Sequence, residues 1–431
     1  MENCKLPRDL LIEILVRLSV KILLRFKCVF RFFYDLIKND HRFMDKHYEF
    51  SRAKNNCALL EFNASYFPFN DVLYYLLYKE SESQTRCIYL EDMPIRYAKS
   101  CHGVLCLILS QSYFSLDGDE TERIRSYGMI FDAYALNPST REMKALPSIK
   151  VPTKPPSEYM LRIGFGFGLS KNKAWKIIML LRFEDMDSES EYSHQIVMVC
   201  SQVEDLWKWR QIDAVHGLEH IPYLNYTRDC YLKGKYYWLC STDHLIWFDM
   251  DDETFGKIKI PSGLDTHFIT VMNDTIAVIS LPHMFVDDED FINIWLMDEN
   301  NNNINWQKHS SIHFDCSITS YWTPVGIWNL GGQLLVFSSD MELQGDVASF
   351  KDGCGPDLIS IDLVTQEKKI ICTSEVKKSA FNIGFNSGGN AQIFNERNIY
   401  KDEEWHDKNI AWYCHGLNPY ARDFHESLKF L

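Results

Sequence analysis

The sequence predicts an α+β multidomain chain: a small N-terminal module of three helices, then a large all-β domain built as a propeller of about six blades. Three observations carry that expectation. Near the N-terminus apolar residues recur at three- and four-residue steps, the spacing of one helix face. Beyond about Ala58 short apolar or alternating runs are separated by polar turns, as in antiparallel sheets. A turn of the form Asn/Asp-x-x-Thr returns three times along that second region.

Composition bounds the function classes. With 46% hydrophobic and 24% charged residues in 431, the chain has a globular composition. Its 27 Phe, 22 Tyr and 11 Trp favour strands packed face to face. No apolar run approaches the roughly 18 residues of a membrane helix. Asp9, Glu13 and Arg17 interrupt the first apolar stretch, so no secretory signal is expected. The net charge of -14 repels a phosphate backbone and argues against nucleic acid as a main partner. It is unevenly spread: residues 1–54 hold 12 Lys and Arg against 7 Asp and Glu, the remainder 33 against 52. Parts of opposite sign predict two different partners.

The 13 cysteines form no C-x-x-C pair, and several sit in apolar runs such as Val104–Leu107 and Tyr237–Cys240. Reduced, buried thiols are expected, which suits a cytoplasmic or nuclear protein. The Asn-x-Ser/Thr triplets at Asn63, Asn225 and Asn273 are then chance matches.

Three short helices are expected within residues 6–37. Leu10, Leu11, Ile14, Leu15 and Leu18 make one apolar stripe, with Pro7 suited to a first turn and Asp9 and Glu13 towards the positive end of the dipole. A break near Ser19 separates it from Val20, Leu23, Leu24 and Phe26, then Val29, Phe33, Leu36 and Ile37. So small a unit cannot bury all that apolar surface within itself. The excess points to a docking partner, or to packing against the rest of the chain.

The series Leu6-Pro7-Arg8-Asp9-Leu10-Leu11 through Leu18, then Val20-Lys21, Leu23–Val29, Tyr34 and Leu36-Ile37, resembles an F-box. The resemblance covers about 40 residues and sets a first domain at 1–54. It implies docking on a Skp-type adaptor and, through that adaptor, on a cullin–RING ubiquitin ligase. The implied adaptor contacts are Leu6, Pro7, Ile14, Leu15, Leu18, Leu24, Phe26, Val29 and Phe33, since aliphatic and aromatic side chains anchor such interfaces. Departures are Ser19 where the family favours Pro, Phe30 where Ser is frequent, and Phe33 where Trp is common. Both Ser19 and Phe33 point to a weaker adaptor contact.

In the second domain, 55–431, expected strands include Val104–Leu109, Lys176–Leu181, Gln195–Cys200, Tyr236–Cys240, His244–Asp249, Thr275–Leu281, Phe291–Met297, Gln333–Ser338 and Leu358–Asp362. The repeated turns are Asn137–Thr140, Asp251–Thr254 and Asp362–Thr365, whose opening Asn or Asp can bond the backbone two residues on. Further polar turns near Ser83, Glu204 and Asn300–Asn303 bring the spacing to roughly 50 residues, that of propeller blades. Radial blades also protect sheet edges. A pair of β-sandwiches is the alternative.

Cys101–Cys106, Leu136–Arg141, Ile163–Phe167, Trp207–Arg210, Leu232–Trp238, Phe248–Met250 and Asp290–Met297 resemble the F-box-associated domain of plant F-box proteins. Together with the F-box, the chain looks most like the S-locus F-box proteins of self-incompatible plants. That resemblance implies a pollen ubiquitin-ligase subunit recognising basic S-ribonucleases.

Chemistry of the chain's own is not expected. Gly164–Gly168 alternates Gly and Phe without the spacing or helix of a nucleotide loop and reads as a packed strand. His216 and His220 lack a third ligand, and Cys414-His415 lacks a partner base. P-loop, His-Glu-x-x-His and Gly-x-Ser-x-Gly motifs are absent. No cofactor or metal is expected, and the chain reads as a non-catalytic receptor. Acidic clusters at Asp117, Asp119 and Glu120, at Asp185, Asp187 and Glu189, and at Asp287, Asp288 and Glu289 fall in expected loops. Gathered on one scaffold they would attract a basic protein substrate, although a solvated loop explains any one of them. An adaptor-binding scaffold that ubiquitylates nothing, and a propeller enzyme or lectin, are the rival classes.

Overall fold

In a computed structural model the chain is described over residues 6–54, 57–66, 70–79, 86–89, 95–117, 124–153, 159–185, 193–203, 206–213, 229–241, 244–261, 266–280, 291–300, 303–313, 320–328, 332–344, 347–350, 357–372, 380–385, 391–394 and 420–423. Four helices come first: α1 (Arg8–Leu15), α2 (Val20–Lys27), α3 (Arg31–Asn39) and α4 (His41–Lys54). The expected break near Ser19 is the N-cap of α2. The fourth helix was not expected. It follows from Asp40, whose carboxylate accepts the amides of Arg42 (3.0 Å) and Phe43 (3.1 Å), and from a buried stripe of Phe43, Met44, His47, Tyr48 and Ser51.

Six sheets follow. Sheet I combines Cys57–Tyr66, Asn70–Lys79 and Arg86–Tyr89 with Ala380–Phe385, Ala391–Phe394 and Tyr420–Asp423 from the far end of the chain. Sheet II holds Ile95–Cys101, Val104–Asp117, Ile124–Asn137 and Glu142–Ala145, with Ile149–Thr153 also on its third strand. Sheet III is Tyr159–Leu169, Trp175–Asp185, Ser193–Val203 and Leu206–Ile212. Sheet IV is Asp229–Leu232, Lys235–Ser241, His244–Asp249 and Phe255–Lys259; sheet V is Thr266–Met272, Thr275–Ser280, Phe291–Asn300 and Asn303–His313. Sheet VI is Ser320–Trp328, Gln333–Gln344, Asp357–Asp362 and Lys368–Cys372, with Val347–Phe350 at its side. All pairings are antiparallel except Ala380–Phe385 on Arg86–Tyr89. Every strand named from the sequence lies within one of these, except that Leu281 at the end of Thr275–Leu281 lies outside the described residues.

Among the described residues, the sheets are not joined to one another by hydrogen-bonded ladders. Instead the first strands of sheets II to VI touch in succession, the last meets Tyr420–Asp423 of sheet I, and Asn70–Lys79 meets sheet II, which brings the ring back to its start. Side chains show why. Ile177, Met179 and Leu181 of sheet III face sheet II beside Cys106 and Phe131, while Ile178 and Leu180 face sheet IV beside Tyr236, Trp238 and Phe248. Tyr237 and Leu239 of sheet IV pack on Ile276 and Val278 of sheet V, whose Ala277 and Ile279 turn towards Leu334 and Val336 of sheet VI. A sandwich leaves one face of each sheet in water, whereas these central sheets bury both. Both-sided burial is what makes Ile177–Leu181 an unbroken apolar run, and it selects the propeller.

The alternating glycines of Tyr159–Leu169 serve the same packing. Phe165 and Phe167 are buried towards sheet II, with Phe167 stacked on Trp175 at 4.8 Å. On the other face, a Cβ at Gly168 would lie 2.4 Å from the Tyr231 ring, and one at Gly166 2.8 Å from the Tyr236 ring. Glycine lets the two tyrosines of sheet IV approach the backbone.

The recurring turn also appears, with one change of register. Asn137 Oδ1 accepts the amides of Ser139 and Thr140, and Asp362 Oδ1 those of Val364 and Thr365. In sheet IV the acceptor is Asp249, which takes the amides of Asp251 (2.8 Å) and Asp252 (3.2 Å), so the turn opens two residues before the expected Asp251. In all three the fifth residue (Arg141, Glu253, Gln366) returns its amide to the opening carbonyl and has positive φ. The turns near Ser83, Glu204 and Asn301–Asn302 join paired strands, but their own residues lie outside the described residues.

Sheets are also tied by side chains. Trp209 donates its indole N–H to the Pro147 carbonyl (2.6 Å), and Trp306 to that of Lys259 (2.9 Å). Lys176 (2.8 Å) and Arg210 of sheet III converge on Glu253 of sheet IV. Lys99 of sheet II and Asp229 of sheet IV form a buried ion pair, and Tyr236 donates to the same carboxylate at 2.6 Å.

Candidate docking surface

The helical module has its own core of Leu15, Val16, Val20, Leu23, Leu36, Ile37, Phe43 and Met44. The apolar stripe of α1 is wider than that core can cover. Leu15 turns inward at 2% exposure, Leu11 and Leu18 are half-buried, and Leu10 and Ile14 stay outward at 53% and 48%. Among the anchors expected from the sequence, Leu6, Pro7, Ile14 and Val29 are exposed, and Leu18, Leu24, Phe26 and Phe33 are half-buried at the edge of the core. Leu15 alone is a core residue, so it supports the surface from beneath. Sequence reasoning missed Ile22, Phe30, Phe32 and Tyr34, all exposed large side chains. Phe33 joins several of them: its ring centroid lies 5.4 Å from Phe26, 6.2 Å from Phe30 and 5.6 Å from Phe32. Arg8 stands 6.0 Å over the Phe32 ring and pairs with Asp40, linking the start of α1 to α3.

Among the described residues, the β domain does not cover this surface. Described contacts between the two parts include those of α4, where the tilted rings of Tyr48 and His102 lie 4.7 Å apart and Asp45 pairs with Lys173, and the attraction of Lys27 and Lys38 for Glu142. His102 in turn meets Tyr231 at 6.1 Å, and the Tyr231 hydroxyl donates to the Leu169 carbonyl (2.6 Å). His102-Gly103 and Lys233-Gly234 are two-residue turns with positive φ throughout, as is Asn273-Asp274, the geometry that matches strand twist. Lys233 reaches the Asp274 carbonyl (2.9 Å), and the Lys171 amide donates to Asp251 (2.8 Å), so these turns share one rim, and the helices sit on it.

The second strands of sheets II, III and V run away from that rim and end at Asp117, Asp185 and Ser280. The acidic segments therefore depart from strand ends on the opposite side. Asp117 and Asp185 are the last residues of their strands; Asp119, Glu120, Asp187, Glu189, Asp287, Asp288 and Glu289 lie outside the described residues, as do His216, His220, Cys414 and His415. Among the described residues no cluster of His, Cys, Asp and Glu could hold a metal, and no helix is long and apolar enough to cross a membrane. Cys101, Cys106, Cys200 and Cys230 are buried, and burial pushes the Cys200 thiol up to about 12 and raises that of Cys106 well above its ordinary value, which disfavours the reactive thiolate at both.

Two family matches agree with this geometry. Residues 4–45 match the F-box domain, and residues 132–351, just over half the chain, match the F-box associated beta propeller domain. The chain belongs to the F-box-associated β-propeller family. Its F-box helices are thus the module whose apolar face stands clear of the propeller. Relatives in Arabidopsis thaliana include F-box protein CPR1, 24% identical over 44% of this chain and 50% of that protein. F-box only protein 8 is 25% identical over 59% of this chain and 80% of the relative. The chain spans 61%, 50% and 70% of the lengths of the first curated relatives it matches. Solved structures similar to this F-box-associated chain include that of YjhT, with 12% identity, a TM-score of 0.35, and coverage of 72% of this chain and 97% of the other.

Proposed function

We propose that the chain is the substrate receptor of an SCF-type cullin–RING ubiquitin ligase, with residues 1–54 docking on a Skp-type adaptor and residues 55–431 gripping a substrate. The observation that carries this reading is the apolar face of the F-box helices, Leu6, Leu10, Ile14, Val29 and Phe32, which the chain's own β domain leaves open. The chain itself is non-catalytic in this reading. It raises the effective concentration of substrate lysines near a ubiquitin-charged partner.

The substrate class proposed is a basic protein, and within it the S-ribonucleases of pollen–pistil self-incompatibility. Support is the sign of the β domain, 52 acidic against 33 basic residues, together with the resemblance to S-locus F-box proteins. A cytoplasmic site of action, with or without the nucleus, follows from the same reading. The second reading, an adaptor-bound scaffold without ubiquitylation, shares the docking step and differs in the outcome of ligase reconstitution.

The test uses the full chain and a purified Skp-type adaptor. Wild type binds at micromolar concentration or tighter, and L10D/I14D weakens binding at least about tenfold while the circular dichroism melt is unchanged. Absence of binding by wild type removes the proposal. Purified S-ribonuclease in the reconstituted ligase then tests the substrate, with binding that weakens between about 50 and 200 mM salt.

A further inference from the structure

Resting on the adaptor-docking reading, a more specific inference concerns Phe30. This residue is the N-cap of α3, with extended backbone (φ -142°, ψ 147°) and no side-chain bond to the first-turn amides. Its carbonyl starts the helix by accepting the Tyr34 amide (3.0 Å), but its side chain has no oxygen to offer. Ser, Thr, Asp and Asn are favoured at an N-cap because their oxygen takes an otherwise unpaired first-turn amide. The next helix shows that arrangement in the same module, where Asp40 accepts from Arg42 and Phe43.

α3 forgoes the cap for a phenyl ring that is 65% exposed and, among the described residues, meets another ring only at Phe33, 6.2 Å away. The ring therefore buries little within its own chain. A local rule broken with no gain inside the molecule marks a residue kept for a contact outside it. The surroundings say where that contact lies. Val29 beside it is 57% exposed, and the aromatic patch continues through Phe33 and Phe32 to Arg8 and the start of α1, the docking face already described.

We infer that Phe30 is an anchor that inserts into an apolar pocket of the Skp-type adaptor, flanked by Val29 and Phe32. Stability that a cap would give to the free helix is given up for contact in the complex. Free and bound states thus set opposite demands on this one position, and the two can be measured apart.

The decisive comparison is Phe30→Ser in the full chain. In the free protein, Ser caps α3, and amide exchange over Phe32–Tyr34 slows about threefold or more. Adaptor affinity falls about tenfold, while Phe30→Leu, apolar but without an oxygen, falls by less and leaves exchange unchanged. Affinity for Phe30→Ser within twofold of wild type overturns the inference. So does faster exchange at α3 accompanying the loss, since Phe30 would then be holding the helix together. Loss of self-association by Phe30→Ser, with adaptor binding intact, assigns the ring to a second copy of this chain and also overturns it. If wild type itself fails to bind the adaptor, the docking reading falls, and the inference with it.

Discussion

Gly168 has the least room in the sheet III strand, because the Tyr231 ring fills the space where any side chain would begin. Tyr231 cannot retreat freely: its hydroxyl is bonded to the Leu169 carbonyl and accepts the Gly234 amide (3.1 Å). Gly168→Ala is therefore expected to cost about 1–3 kcal/mol by overpacking, read as a lower midpoint in urea unfolding. An unchanged midpoint would mean that the two sheets can part without cost. The sequence disclosed half of this. Alternation of Gly and Phe identified a packed strand, since Phe165 and Phe167 go to one face; the tyrosines needing the other face come from more than 60 residues away and leave no local trace.

At the scale of the element, the two turns led by Asp249 and Asp362 couple the fold to pH, while the Asn137 turn, led by a neutral amide, does not. Burial raises the Asp249 carboxyl, but the amides of Asp251 and Asp252, with Lys171 and Lys235 nearby, outweigh it and hold the group below its ordinary value. Glu253 is likewise raised by burial and pulled below normal by Arg210 and Lys176, and the Thr365 and Val364 amides lower Asp362. A carboxyl depressed by folding stabilises the folded state above its unfolded pKa of about 4, and that contribution is lost as pH falls through the folded value. Stability is expected to hold from neutral pH to about 5 and to drop below about 4. Asp249→Asn, which keeps an acceptor without the charge, should flatten that drop in urea midpoints taken across pH. Strands and turns were legible because a two-residue alternation and an Asx residue act locally. The register at Asp249 was not, because Asp249, Asp251 and Asp252 are all competent to open a turn and only pairing across the sheet decides. α4 was legible in principle, from Asp40 and the stripe Phe43, Met44, His47 and Tyr48, but its polar remainder hid the period.

For the whole molecule, the decisive arrangement is the helical module on one rim and, on the other, the strand ends at Asp117, Asp185 and Ser280. Under the receptor reading proposed above, a substrate would be held across the thickness of the propeller from the ligase, and the angle of that reach would depend on the joint between the helices and the β domain. Tyr48 against His102 and Asp45 against Lys173 cross that joint, as do Lys27 and Lys38 facing Glu142. In Y48A/K173A, amide exchange over α4 should accelerate about tenfold while sheets IV to VI keep their protection and adaptor affinity stays within twofold. Equal exchange in variant and wild type would mean that other contacts set the angle. The switch from helix ending at Lys54 to strand beginning at Cys57 was readable from the change of periodicity near Ala58, whereas this joint was not, because the two partners of each contact are far apart in sequence.

Sheet I carries a consequence for how the chain is made. Ala58–Glu61 pairs with Tyr420–Asp423, and Arg86–Tyr89 with Ala380–Phe385, so strands made early must wait for strands made hundreds of residues later. During that interval the helices that precede them have already been synthesised, greasy side exposed. The ring is fastened only after that apolar face has long been in water.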